Sequence, residues 1–155
     1  TASNRKMPTN LNKDGWPRIR LVKILDGFFD NAAAADSWLV DNERITRRSD
    51  KAENMKGLST MTGTWAASAK NNFENFGKDL NLPGKQNAAE ICDQFLRTNY
   101  QLAEKYMRLA NLLSINIGAQ KGDGQTPEIE AVRLEIREIW PTHEAQYLAA
   151  RKLFF

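Results

Sequence analysis

From Gln86 to Ile117 the chain carries neither proline nor glycine, and along it Ala88, Cys92, Phe95, Asn99, Leu102, Tyr106, Leu109 and Leu113 recur in alternating steps of four and three. That spacing returns each side chain to one face of an α-helix, so the run predicts a long helix with a continuous, largely apolar seam. Ile91, Leu96, Ala103, Met107, Ala110 and Leu112 widen the seam to a face that serves more than one neighbour, the situation of a central helix in a bundle.

The same periodicity appears on both sides of this run. Leu21, Leu25, Phe28, Ala32, Ala35 and Leu39 form one stripe, with Val22, Phe29 and Val40 beside it, and predict a first helix from about Arg18 to the region of Arg48. Gly27 weakens it by about 1 kcal/mol relative to alanine. Leu58, Met61, Trp65, Ala69, Phe73, Phe76 and Leu80 predict a second, with a break or kink expected near Gly57 or Gly63. Asn81-Leu-Pro-Gly84 is a strong breaker before the central helix. After the glycine-rich stretch 118–127, Thr126 suits a helix cap and Pro127 a first helical position. The last stripe is Ile129, Val132, Ile136, Ile139, His143, Tyr147, Ala150 and Phe154, within which Pro141 is expected to kink or interrupt the helix.

No useful strand-like alternation and no internal repeat occurs. The expectation is therefore an all-α fold, an antiparallel four-helix bundle of up-down-up-down order; the alternative is that the first two helices form one bent rod. Residues 1–17 read as an extended basic N-terminal arm and 18–155 as the bundle.

Several chemistries are unpromising. The chain has one histidine, His143, and no Glu-x-x-His pair, so neither a multi-histidine metal site nor a carboxylate-bridged di-metal centre is expected. No cofactor is expected either. The one cysteine, Cys92, lies on the apolar seam and reads as a buried thiol, so a Cys92–His143 nucleophilic pair lacks a route for substrate. A reducing compartment is the simpler setting for a lone thiol, and a virion or the cytoplasm is the expected location. Gly122-x-Gly124 lacks the preceding strand and the Gly-Lys-Ser/Thr ending of a phosphate loop. Glu128, Glu130, Glu135 and Glu138 read as a solvated face near Arg133 and Arg137. No stretch approaches the roughly 18 apolar residues of a membrane helix, so no membrane partner is expected. The first residues show no secretory signal pattern, and the start at Thr1 leaves room for an upstream piece.

What remains is basic and aromatic surface. Within the first 25 residues Arg5, Lys6, Lys13, Arg18, Arg20 and Lys23 stand against Asp14 alone, a balance of +5 that leaves −2 for the remainder of a chain whose total is +3. Arg44, Arg47, Arg48 and Lys51 form a second basic group, partly neutralised by Asp41, Glu43 and Asp50. Both groups are candidates for a phosphate backbone, so RNA or DNA is a candidate partner. The arm shows no core periodicity and is expected to need something to hold it, another subunit or a nucleic acid. Trp16, Trp140, Leu153, Phe154 and Phe155 are candidates for docking on a neighbour, the alternative being that they pack on their own bundle. Together these features point to a non-enzymatic structural subunit that self-associates into a large homo-oligomer, a viral or filamentous coat-type protein binding nucleic acid non-specifically. A helical adaptor without nucleic acid is the alternative.

Overall fold

A computed structural model describes residues 5–8, 15–42, 57, 60, 63–67, 88–118 and 127–155. Among them are three long helices: α1 (Gly15–Asn42), α2 (Ala88–Gly118) and α3 (Pro127–Lys152). A fourth helical stretch is present at residues 57, 60 and 63–67, and no strand occurs among the described residues. The fold is all-α.

Each helix buries the stripe that its spacing marks. On α2, Ala88, Cys92, Phe95, Asn99, Leu102, Tyr106 and Leu109 are all buried. On α1 the buried set is Leu21, Val22, Leu25, Phe28, Ala32 and Ala35, and on α3 it is Ile129, Val132, Ile136, His143, Tyr147 and Ala150. Ile139 is the member of the α3 stripe that stays half-buried.

The helix directions follow from which ends share a core. One cluster joins Leu21, Val22, Leu25 and Phe28 of α1 to Cys92, Phe95 and Leu96 of α2 and to Tyr147, Ala150 and Phe154 at the C-terminal end. The other joins Ala32 and Ala35 to Leu102, Tyr106, Leu109, Ile129, Val132 and Ile136, and takes Trp65 and Ala66 from the fourth helical stretch. Hence α1 and α2 run the same way and α3 runs against both. This arrangement fits a four-helix bundle, with Trp65 and Ala66 packed on the second cluster.

Two boundaries differ from the sequence reading. Helix α1 begins at Gly15 rather than about Arg18, so Trp16 and Pro17 belong to its first turn and not to the arm. Proline is tolerated there because the first backbone N–H groups of a helix have no intrahelical acceptor. Helix α3 runs through Pro141 to Lys152 without interruption, its tertiary contacts on both sides offsetting one missing backbone bond. The expected extension of the first helix toward Arg48 and the stripe members Leu58, Met61, Ala69, Phe73, Phe76 and Leu80 lie outside the described residues. Gly27 is exposed with nothing within 4 Å of where a Cβ would stand, so packing gives no reason for its cost to the helix.

Candidate arm-docking cleft

The bundle interior holds a ladder of polar groups between its two apolar clusters. At mid-height Asn99 Nδ2 donates to the Phe28 carbonyl at 3.1 Å and lies 2.9 Å from His143 Nε2, both side chains being fully buried. An amide N–H facing Nε2 makes that nitrogen the acceptor and puts the imidazole proton on Nδ1. Phe29 stacks on the imidazole at 5.5 Å and Trp140 meets it edge-on at 4.9 Å. Burial holds the His143 pKa down to about 4, so the ring is neutral across the physiological range.

Toward the C-terminal end of α1, the Tyr106 hydroxyl donates to Asp36 Oδ1 at 2.8 Å and accepts from Trp140 Nε1 at 2.6 Å. Burial first, and the Asp36 charge second, raise the Tyr106 pKa well above the ordinary phenol value. None of these groups has the exposure of a general acid, base or nucleophile. Cys92 is likewise inert, fully buried with its thiol pushed up to about 12. Among the described residues no group of three or more histidine, cysteine or acidic side chains could hold a metal ion.

The polar groups that do reach the surface gather where the arm crosses α1 and α3. Asp26 and Asp30 stand one helical turn apart on α1, with Phe29 between them. From α3, the Tyr147 hydroxyl donates to Asp26 Oδ1 at 2.5 Å and Arg151 Nε donates to the same oxygen at 3.0 Å. Tyr147 lies flat on Phe29 with ring centroids 4.1 Å apart. The result is a cleft with two carboxylates on its rim and two stacked rings as its wall.

Arg5 occupies that cleft. Its guanidinium makes a two-pronged contact with Asp30, lies 3.6 Å from Asp26, and stands 5.7 and 5.5 Å from the centroids of Phe29 and Tyr147. Burial opposes the Arg5 charge, but the Asp30 hydrogen bond and the charges of Asp30 and Asp26 raise its pKa on balance. Paired carboxylate and aromatic faces suit a planar, always-charged guanidinium better than a lysine ammonium. The next residues are held as well. Arg151 donates to the Lys6 carbonyl and touches Met7 Sδ at 3.5 Å, Met7 packs against the apolar cluster that holds Leu25, Phe95 and Phe154, and Pro8 is buried. The expectation that the arm needs another subunit or a nucleic acid to hold it is corrected for residues 5–8: the segment docks on its own bundle, through Arg5, the Lys6 carbonyl, Met7 and Pro8.

The other sequence candidates divide. Trp140 and Leu153 are half-buried and packed against the chain's own clusters, and Phe154 is 1% exposed within one of them. Apolar side chains this close to the end of α3 gain more by filling the open end of their own core than by remaining in water. Phe155 is different. It stays 46% exposed, with Lys6 and Arg151 over its ring.

Of the basic candidates, Arg5 is committed to Asp26 and Asp30, while Lys6, Arg20 and Lys23 are exposed and Arg18 is half-buried. Arg20 and Lys23 flank an open depression whose apolar walls are Ile19 and Ile24. Lys13, Arg44, Arg47, Arg48 and Lys51 lie outside the described residues. In the acidic group on α3, Glu130 pairs with Arg133 while Glu135, its side chain 44% exposed, reaches Lys105 of α2 at 2.7 Å and links the two helices at the surface. No described helix is long and apolar enough to cross a membrane.

Sequence reasoning missed Asp26, Asp30 and Tyr147 as one site. The available signal was two carboxylates four residues apart on either side of an aromatic, on a helix preceded by a basic arm. Comparison with protein-family models, with curated proteins and with solved structures finds no match to this chain.

Proposed function

We propose that this chain is a non-enzymatic structural subunit of a repetitive assembly, a coat-type protein whose copies are joined through their arms and which holds RNA or DNA without sequence preference. The observation that supports the reading is the docked arm. Residues 5–8, without helix or strand, are gripped through side chain and backbone by their own bundle, so the bundle carries a site that fits this segment. The exposed Lys6, Arg20 and Lys23, with Arg44, Arg47, Arg48 and Lys51, supply the charge for phosphate contact.

The test is a salt titration of single-stranded RNA and DNA binding on the assembled form, since weak sites act together along a polymer. Affinity is expected to be indifferent to sequence and to fall steeply with salt. Replacing Arg47 and Arg48 together by glutamine is expected to flatten the logarithmic slope by a little under one unit per lost contact. Assemblies that carry no nucleic acid, and that form equally well with the double replacement, would favour a purely protein-based filament or an adaptor.

A further inference from the structure

We infer that Phe155 is a stacking platform for a base of a single-stranded nucleic acid, with Lys6 and Lys152 beside it to meet the flanking phosphates. The inference rests on the nucleic-acid reading above and gives it a site.

The ring is exposed without being loose. The backbone N–H groups of Leu153, Phe154 and Phe155 donate to the carbonyls of Ala150, Arg151 and Lys152 at 3.2 Å, which closes the end of α3 in a tight turn. Phe154, 1% exposed, is fixed in the cluster of Leu25 and Phe95 and anchors its neighbour. Arg151 backs the ring with its guanidinium 5.2 Å from the centroid, and is itself tied to Asp26 and to the Lys6 carbonyl. On this support the ring remains 46% exposed. Leu153 and Phe154 belong to the chain's own core, whereas Phe155 takes no part in either cluster.

The charges beside the ring suit phosphate. Lys6 Nζ stands 6.0 Å from the centroid, at the outer limit of a cation–π contact, and both Lys6 and Lys152 are exposed. The docked arm brings Lys6 to this place, since Arg5 in its carboxylate pair and the Lys6 carbonyl on Arg151 hold the backbone around it. Asp26, the acid that Arg151 bonds, also accepts from Tyr147 and faces Arg5, so its charge is neutralised within the bundle.

These features select the ligand. Every base has a face that stacks on an aromatic ring, and stacking outweighs an exposed cation–π contact, so the Lys6 ammonium can swing on its flexible stem from the ring to a phosphate. A protein neighbour seating an apolar group on the ring would bury two ammonium groups beside it, at a cost that only matching carboxylates would offset. In a duplex the base faces are already stacked on one another, so the ligand is a single strand.

The experiment measures binding of poly(U) to the assembled full chain over a series of salt concentrations, for the parent, Phe155→Ala, Phe155→Leu, Phe155→Trp and Lys6→Gln. Phe155→Ala and Phe155→Leu are each expected to weaken the affinity per subunit about 5- to 150-fold with the logarithmic salt slope unchanged, because a stacked base releases no counterion. Phe155→Trp keeps an aromatic face and is expected to bind at least as tightly as the parent. Lys6→Gln is expected to flatten the slope by roughly 0.7. Double-stranded DNA is expected to bind the parent and Phe155→Ala alike.

Poly(U) affinity that is equal for the parent and Phe155→Ala, or fully kept by Phe155→Leu, would overturn the platform and leave the nucleic-acid reading standing. An equal loss of duplex binding in Phe155→Ala would overturn it too. A smaller particle with unchanged affinity per subunit would make Phe155 a contact between copies and would also overturn it. A parent that binds no poly(U) at any salt concentration would remove both the platform and the reading beneath it.

Discussion

Phe95→Ala is expected to lower the stability of the fold by about 3–5 kcal/mol, and Leu102→Ala by about 2–5 kcal/mol. Both side chains are fully buried on the α2 seam. Phe95 belongs to the cluster around Leu25 and Tyr147 and borders the polar layer, with its ring 5.2 Å from that of His143 and 5.7 Å from that of Tyr147. Removing it takes away transfer energy and opens a cavity against side chains already fixed by hydrogen bonds, so little relaxation is available. A domain of this size is stable by only about 5–15 kcal/mol in total, so the loss is large. Urea unfolding followed by circular dichroism measures it. Leu134→Ala, on the 59% exposed outer face of α3, is the control and is expected to change stability by less than about 0.5 kcal/mol. Equal midpoints for Phe95→Ala and the parent would mean that the seam faces elsewhere.

Acid is expected to weaken the fold through His143. Its folded-state pKa of about 4 lies below the ordinary 6.5, so between these values the unfolded chain binds a proton that the folded chain refuses. Stability on this account is constant above pH 6.5 and falls as the pH is lowered through the window from 6.5 to about 4. The total loss is about 3 kcal/mol.

The cause is burial, and the geometry adds to it. A proton on Nε2 would place an N–H against the N–H of Asn99, which already donates to the Phe28 carbonyl, and the nearby carboxylates, Asp26 and Asp36, bond to Tyr147 and Tyr106 rather than to the imidazole. His143→Gln, which does not titrate, is expected to remove the slope in this window even though its absolute stability is lower. A variant with the parent's slope would show that the pH dependence arises from another group.

Most of the bundle is legible in the sequence because helix burial is periodic, and the period is local. Steps of three and four mark Leu21 to Ala35, Ala88 to Leu109 and Ile129 to Phe154 without any knowledge of their partners. His143 was readable as a core residue for the same reason, since it sits on the stripe between Ile139 and Tyr147.

The arm was not readable in this way. Arg5 meets Asp30 across 25 positions, and Arg151 meets Lys6 across 145, and no local pattern encodes contacts so distant. Asp26 and Asp30 look like ordinary solvated positions until the arm and α3 are brought to them. Trp140 looked like a docking residue because the Tyr106 hydroxyl that satisfies its indole N–H lies on another helix.

The most direct measurement of the central claim, that copies of this chain are joined through their arms, is the mass of the native particle by size exclusion with light scattering, for the full chain and for a chain lacking residues 1 to 13. The full chain is expected to form particles of many subunits. The shortened chain is expected to run as single subunits with its helical circular-dichroism signal retained, because all of its helices and nearly all of its core remain. Equal particle masses for the two chains, or loss of the helical signal on shortening, would contradict the account.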